Sequence, residues 1–420
     1  MNELFFELIQ IAIGSRVCLS HTPSADEWKQ LYEMAKKQSL VGVCFAGVQK
    51  LQLQKQCPDE MLYLTWMGMA AKIQQRNEVV NRQCVEVQKM LAEKGFRSCI
   101  FKGQAVASLY HSLPSQPSSL SALRQSGDID IWIEGGKKRV IDLVQEIAPT
   151  KEIRETHAHL DVFPDTEVEA HYRPGLIRNF VKNAKLQKFF QEEAEACFSN
   201  RINISNPSVG ELCRTTNSSN HSEPLTIVAP TTEFNLVHQL THIYHHLFTE
   251  GVGLRQVMDY YMVLRTVSSF DSATSTSLST SQEPCFKFQV GSRVQEVIKS
   301  LGLERFASAL MWVIAHVFEG NNHLKPAEGD ETLKPSETAS WMLWTPNEKD
   351  GRFLLGEIIQ SGNFGKYDER HDFWNMNVVQ SLFRITGKNL SYLRFAPFDW
   401  FWSPLWRGYH YCSRKINGYK

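Results

Sequence analysis

The stretch Gly127-Asp128-Ile129-Asp130-Ile131-Trp132-Ile133 constrains this chain more than any other. Its strict alternation is that of a β-strand, in which successive side chains point to opposite faces. Ile129, Ile131 and Ile133 then enter a core, while Asp128 and Asp130 project together from the other face. Two adjacent carboxylates on a strand built for burial repel each other, and a divalent cation with oxygen ligands relieves that repulsion. Mg²⁺, with Mn²⁺ as an alternative, suits the case, because it binds through one or two carboxylates plus substrate phosphates. A third carboxylate, Glu169 in Glu167-Val168-Glu169-Ala170-His171, would allow two metals roughly 4 Å apart to act on an attacking and a leaving oxygen. His171 shares the Glu169 face and reads as a residue at the rim of the cleft, with contact to substrate or a hydrogen bond to a ligand carboxylate as the alternative.

The segments around this strand form a small α/β unit. Ser98–Phe101 is a short β run that turns into a helix over Gln104–Tyr110. At that junction Gly103 permits close backbone approach to an anion, the helix start points N–H groups toward it, and Lys102 adds a charge-assisted contact to a phosphate. Residues 113–126 are Ser- and Pro-rich and read as a loop, Lys137–Ala148 is an amphipathic helix, and His159–Phe163 and Glu167–Tyr172 alternate as strands around Pro164-Asp165. The expected fold class is α+β, a small mixed sheet with extensive flanking helices.

The expected organisation is a helical region over 1–95, the α/β core over 96–175, a helical region lining the cleft over 176–267, a Ser/Thr-rich linker or insertion over 268–287 and a mostly helical region over 288–420. Polar loops are expected near 217–223 and 320–337. Ser24 and Glu27 form a capping-box pattern, and Leu4 to Ile13 have the spacing of an amphipathic helix. That N-terminal stretch lacks the basic flank of a signal peptide, and no run is long enough to span a bilayer, so a cytoplasmic location is expected. Lys plus Arg and Asp plus Glu both count 45, which gives no global attraction to nucleic acid or anionic membrane. The nine cysteines include no CxxC pair, which argues for reduced, buried thiols rather than a disulfide or zinc framework.

Taken in order, Phe101-Lys102-Gly103, Leu109-Tyr110, Arg124-x-x-Gly127-Asp128-Ile129-Asp130, Val168-Glu169-Ala170-His171, then His242, His246 and Gly253-Leu254-Arg255-x-x-x-Asp259, the chain resembles the bacterial uncharacterised nucleotidyltransferase family of the DNA polymerase β-like superfamily. The resemblance runs from about residue 25 to 390. It implies metal binding by Asp128, Asp130 and Glu169, and a phosphate turn of Lys102, Gly103 and Gln104 in place of the superfamily's Gly-Ser. It also implies that Arg124, Gly127 and Arg255 contact the nucleotide. The implied activity is Mg²⁺-dependent transfer of a nucleoside monophosphate from an NTP to an acceptor, a small molecule, sugar, protein or RNA, with release of pyrophosphate. A module of the same fold that binds nucleotide without turnover is the alternative.

His238, His242 and His246 recur every four residues on one helix face, with His245 beside them. Without the glutamate of H-E-x-x-H they read as a cleft wall or a satisfied core rather than a zinc site, and Asp259 is expected to orient one of them or to pair with Arg255. The sequence lacks a P-loop and a G-x-S-x-G element, and a single short strand ahead of the DxD argues against a glycosyltransferase sheet. The aromatic-basic run Trp400–Tyr411 reads as helix packing or a dimer contact, with a membrane surface or partner as the alternative.

Overall fold

A computed structural model of the chain describes residues 1–111, 120–205, 224–269, 283–320, 342–366, 392–395 and 399–417. Helix α1 (Asn2–Ile13) is buried from Leu4 to Ile13 on all sides, so it is a core helix rather than the amphipathic one its spacing suggests. Burial of its polar members is compensated: Glu7 pairs with Arg16 at 2.9 Å, and the Gln10 amide donates to the Val317 carbonyl at 3.0 Å. Helix α2 (Ala25–Lys37) starts with the expected Ser24–Glu27 capping box. Helix α3 (Val41–Gln52) and the 34-residue α4 (Glu60–Glu93) follow. A left-handed Gly95 then turns the chain into the sheet.

Strand β1 (Ser98–Ile100) leads into α5 (Gly103–Ala107), a five-residue helix continued by a 3₁₀ turn over Ser108–His111 where one longer helix is expected. The short helix α6 (Leu120–Leu123) stands in the stretch read as loop. Strand β2 (Ile129–Ile133), helix α7 (Gly136–Ile147), β3 (His157–His159) and β4 (Val168–His171) complete the unit. The sheet order is β1-β2-β4-β3, with β2 and β4 parallel and the outer pairs antiparallel. The mixed sheet forms as expected, but its strands are short, and β3 lies earlier than the expected His159–Phe163, sharing only His159 with it.

One sheet face packs Ile100, Ile129, Ile131, Val168 and Ala170 against Val140, Leu143 and Val144 of α7 and Val80, Cys84 and Val87 of α4. The other face contributes Cys99, Phe101 and Trp132 to the large helical core. Helix α8 (Phe180–Ser199) runs into a two-stranded ribbon, β5 (Arg201–Asn203) with β6 (Thr226–Val228), inside a segment expected to be helical. Three-residue strands are too short for alternation to register in the sequence. Helices α9 (Thr232–Phe248), α10 (Leu254–Ser269), α11 (Glu283–Ser300), α12 (Glu304–Ile314) and α13 (Glu348–Ser361) follow. Most of the Ser/Thr-rich stretch, and the polar loops expected near 217–223 and 320–337, fall on or beside residues outside the described set.

No described helix is long and apolar enough to cross a membrane. Cys44, Cys84, Cys99 and Cys197 are buried free thiols, whereas Cys18, Cys57 and Cys412 are exposed. In the last helix, Asp399–Asn417, Trp406 is buried, donates its ring N–H to Glu155 Oε2 at 2.8 Å and packs on Phe180, so part of the aromatic run packs within the chain.

Candidate active site

Parallel pairing of β2 with β4 sets the site. Asp130 lies directly opposite Glu169 and Trp132 opposite His171, while β3 places His159 beside Glu169 and His157 beside His171. Because the side-chain period is two, all these groups share the face away from the isoleucines. The ladder begins at Ile129, whose N–H donates to the Glu167 carbonyl at 2.9 Å, so Asp128 precedes the strand and its carboxylate hangs open at the strand's entrance. A cavity of about 550 Å³ covers this edge of the sheet and brings together Lys102, Gly103, Arg124, Gly127, Asp128, Asp130, Glu169 and Arg255.

Gln104 takes no part in that wall. Its side chain turns toward α4 and its amide donates to Asn81 Oδ1. The chain reaches this turn through Lys102, whose φ of 62° is left-handed and costly for a residue with a side chain, and through Gly103 at φ 41°.

Two protein cations converge on one carboxylate oxygen. Lys102 Nζ donates to Asp130 Oδ1 at 2.6 Å, and His171 Nε2 donates to the same atom at 2.9 Å and to Glu169 Oε2 at 3.0 Å. The other ring nitrogen of His171 faces the Arg173 carbonyl at 3.2 Å. Both nitrogens thus meet acceptors, which favours the doubly protonated ring. Burial pushes the His171 pKa down, but the bonds to Asp130 and Glu169 outweigh it and raise it above the ordinary value. Burial also works against the charge of Asp130, yet Lys102 and His171 hold its carboxyl well below the usual range. Glu169 is likewise lowered, burial being outweighed by its bond to His171.

Asp128 behaves in the opposite way. The charge of Asp130, then burial and the charge of Glu169, push it up to about 7. Since the carboxylate opens on the cavity, the repulsion is the cause that persists. His157 Nε2 lies 3.3 Å from Glu169 Oε1, and burial followed by the charge of His171 pushes this ring down to about 3. Donor atoms of Asp130, Glu169 and His171 lie within 4.8 Å of one another, as do those of His157, His159 and Glu169. The arrangement is an acidic cluster that already calls in positive charge from its own chain.

A second set of groups offers hydrogens. Arg124 is buried and grips Asp259 with two bonds of 2.7 Å, and Tyr110 adds a third at 2.8 Å. Asp259 thus pairs with Arg124, not with Arg255 or a histidine. Arg124 Nη1, Arg255 Nε and Gln256 Nε2 are buried without a hydrogen-bond partner among the described residues. The Gln256 amide is oriented by its Oε1, which accepts from the Gly253 N–H at 2.7 Å. Burial and the neighbouring charge of Arg124 lower the Arg255 pKa, as expected of a cation short of an anion. All three orphaned atoms are donors in residues that line the cavity, so its complement is rich in acceptor oxygens.

The histidine row divides. His238 is fully buried among Phe101, Phe190 and Phe234, and its Nε2–H donates to the Pro174 carbonyl at 3.0 Å. His242, His245 and His246 instead line the cavity. The row does not gather into a metal site among the described residues, where the groupings involve β2, β3 and β4.

Sequence reading favoured the rim for His171, whereas the structure shows the alternative, a hydrogen bond to the candidate ligand carboxylates, and it missed the donor of Gln256. The alternation in Glu167–His171 put His171 on the right face, but only the β2–β4 register shows that it reaches Asp130. Residues 24–282 match the model of a family described as uncharacterised nucleotidyltransferase. No curated protein and no solved structure matches the chain.

Proposed function

The chain belongs to the uncharacterised nucleotidyltransferase family, and from that premise we propose that its cavity moves a nucleoside monophosphate from an NTP to an acceptor hydroxyl and releases pyrophosphate. The observation that carries the reading is the pairing of Asp130 with Glu169 across parallel strands, with Asp128 two residues ahead, all facing a cavity whose lining residues Arg124, Arg255 and Gln256 carry orphaned donors.

The donor set fits a hard divalent cation. It offers carboxylate oxygens, and Lys102 and His171 already crowd positive charge onto Asp130 Oδ1. Asp128, Asp130 and Glu169 would hold Mg²⁺ or Mn²⁺, and the chemistry such a cation supplies is stabilisation of charge on the transferring phosphoryl group. His171 fixes the orientation of both strand carboxylates by bridging them. Arg255, the free Nη1 of Arg124 and the Gln256 amide supply hydrogens to phosphate oxygens without the need to move other partners. The acceptor oxygen bonds to the α-phosphorus, the bond to the pyrophosphate oxygen breaks, and the hydroxyl proton passes to the carboxylate cluster. Overall neutrality makes long nucleic acid a less favoured acceptor than a small molecule, sugar or protein.

The test is incubation of the protein with Mg²⁺ and each α-labelled NTP in a cell extract, with pyrophosphate release measured in parallel. Label should move to an acceptor, and Asp130→Asn should cut the transfer by at least about 100-fold. Nucleotide binding without pyrophosphate release across an acceptor panel would instead favour the silent binding module.

A further inference from the structure

Gly362–Lys366, which follows α13, lies outside the span matched by the family. It nevertheless supplies part of the cavity wall, through Phe364 and Lys366. Phe364 sits at φ 52° and ψ 30°, the left-handed region that a side-chain-bearing residue avoids, between Gly362 and Gly365, which are both at positive φ. A backbone strained in this way persists only where its surroundings enforce it, and such residues cluster at functional sites.

The enforcing contact is visible. A Cβ on Gly365 would overlap the Glu250 carbonyl oxygen, one on Gly251 would lie 2.9 Å from the Ser361 side chain, and one on Gly253 would lie 2.9 Å from Asn363 Cα. Three glycines thus bring Gly362–Lys366 into close contact with the segment that joins α9 to α10, directly ahead of Arg255. The Ser361 hydroxyl adds a bond to the Val252 carbonyl at 3.2 Å. The result is an aromatic ring held against the cavity, 5.2 Å from the His246 ring, which in turn meets His242 at 4.3 Å. Burial, then the charge of Lys102 and the neighbouring histidines, hold His242 well below its ordinary range, so it presents an uncharged planar face.

Resting on the nucleotidyl-transfer reading, we infer that Phe364, with His246 and His242, forms the slot for the nucleobase of the NTP, and that a region outside the family span supplies its aromatic wall. The carboxylates and orphaned donors take the charged end of the nucleotide. The planar ring of a base is the part that gains from an aromatic wall, because stacking tolerates every base and needs no hydrogen-bond match.

The experiment compares binding of the four common ribonucleoside triphosphates and of inorganic tripolyphosphate, each with Mg²⁺, by titration calorimetry. Phe364→Asn removes the ring yet suits a left-handed backbone, so the turn is kept, and Phe364→Tyr restores a ring. Wild type should bind at least one NTP more tightly than tripolyphosphate. Phe364→Asn should weaken that NTP about tenfold and leave tripolyphosphate unchanged, and Phe364→Tyr should recover the loss. The inference is overturned if Phe364→Asn binds the NTP like wild type, or weakens tripolyphosphate equally. It is also overturned, with the phosphate site intact, if wild type prefers no NTP over tripolyphosphate. If wild type binds neither probe, the transfer reading itself falls.

Discussion

His238 and Arg124 show how single side chains support the site from beneath. His238 is pushed down to about 3 by burial and the charge of Lys102, so it stays neutral in the fold while it titrates near 6.5 once unfolded. A base whose folded pKa is depressed stabilises the protein above its unfolded pKa, and the contribution fades as pH falls from about 6.5 toward 3. Urea unfolding across that window should show wild type losing on the order of a few kcal/mol more than His238→Phe, which cannot titrate. Arg124 and Asp259 form a buried, doubly bonded pair. Arg124→Met strands the Asp259 charge and should cost about 3–5 kcal/mol. The Arg124→Met/Asp259→Leu double variant should cost less than the sum of the single changes by about 2 kcal/mol, read from a double-mutant cycle.

At the scale of elements, helix packing decides what a glycine is for. Gly42 in α3 lies against α6, where an added Cβ would overlap the Leu123 carbonyl oxygen, whereas Gly68 in α4 has open space around it. Helix propensity alone favours alanine at both by up to about 1 kcal/mol. Gly68→Ala should therefore raise the unfolding midpoint slightly. Gly42→Ala should lower it, because α6 must shift and the neighbouring Arg124 shifts with it. Thermal unfolding of the two variants side by side checks both signs.

The same scale explains what could be read in advance. The alternation in Ile129–Ile133 is strong because one face is a core and the other a site, so strand, sheet face and Asp130 were all legible. The capping box of α2 was legible because its signal is local. The fully buried state of α1 was not, since burial on every side depends on α3 and on the turn at Ala315–Glu319. That His171 reaches Asp130 as well as Glu169 was hidden for a related reason: the bond joins residues 41 positions apart through the β2–β4 register.

For the whole molecule, net charge sums to zero, yet the cavity concentrates five carboxylates, two arginines and two lysines. Composition averages away the local field that matters for a charged ligand. Ligand binding to the folded state alone should raise stability by about 2.7 kcal/mol at a hundredfold excess over Kd. Magnesium with the preferred NTP should thus raise the unfolding temperature by a few degrees. Arg255→Met should remove roughly half of that gain if it weakens binding about tenfold. Calorimetric melts with and without Mg²⁺ and nucleotide measure both effects.

Strands β2 and β4 run in the same direction, so the chain leaves the sheet after Ile133 and must travel back before it can lay down Glu169. It makes the journey through α7, on the isoleucine side, and then through β3, which runs antiparallel to β4. The contour length of that detour and the gap across the active centre are therefore independent quantities. Residues can be gained or lost along the outbound leg while the hydrogen-bond ladder, acting as a fixed yardstick, keeps the two acidic groups one strand spacing apart.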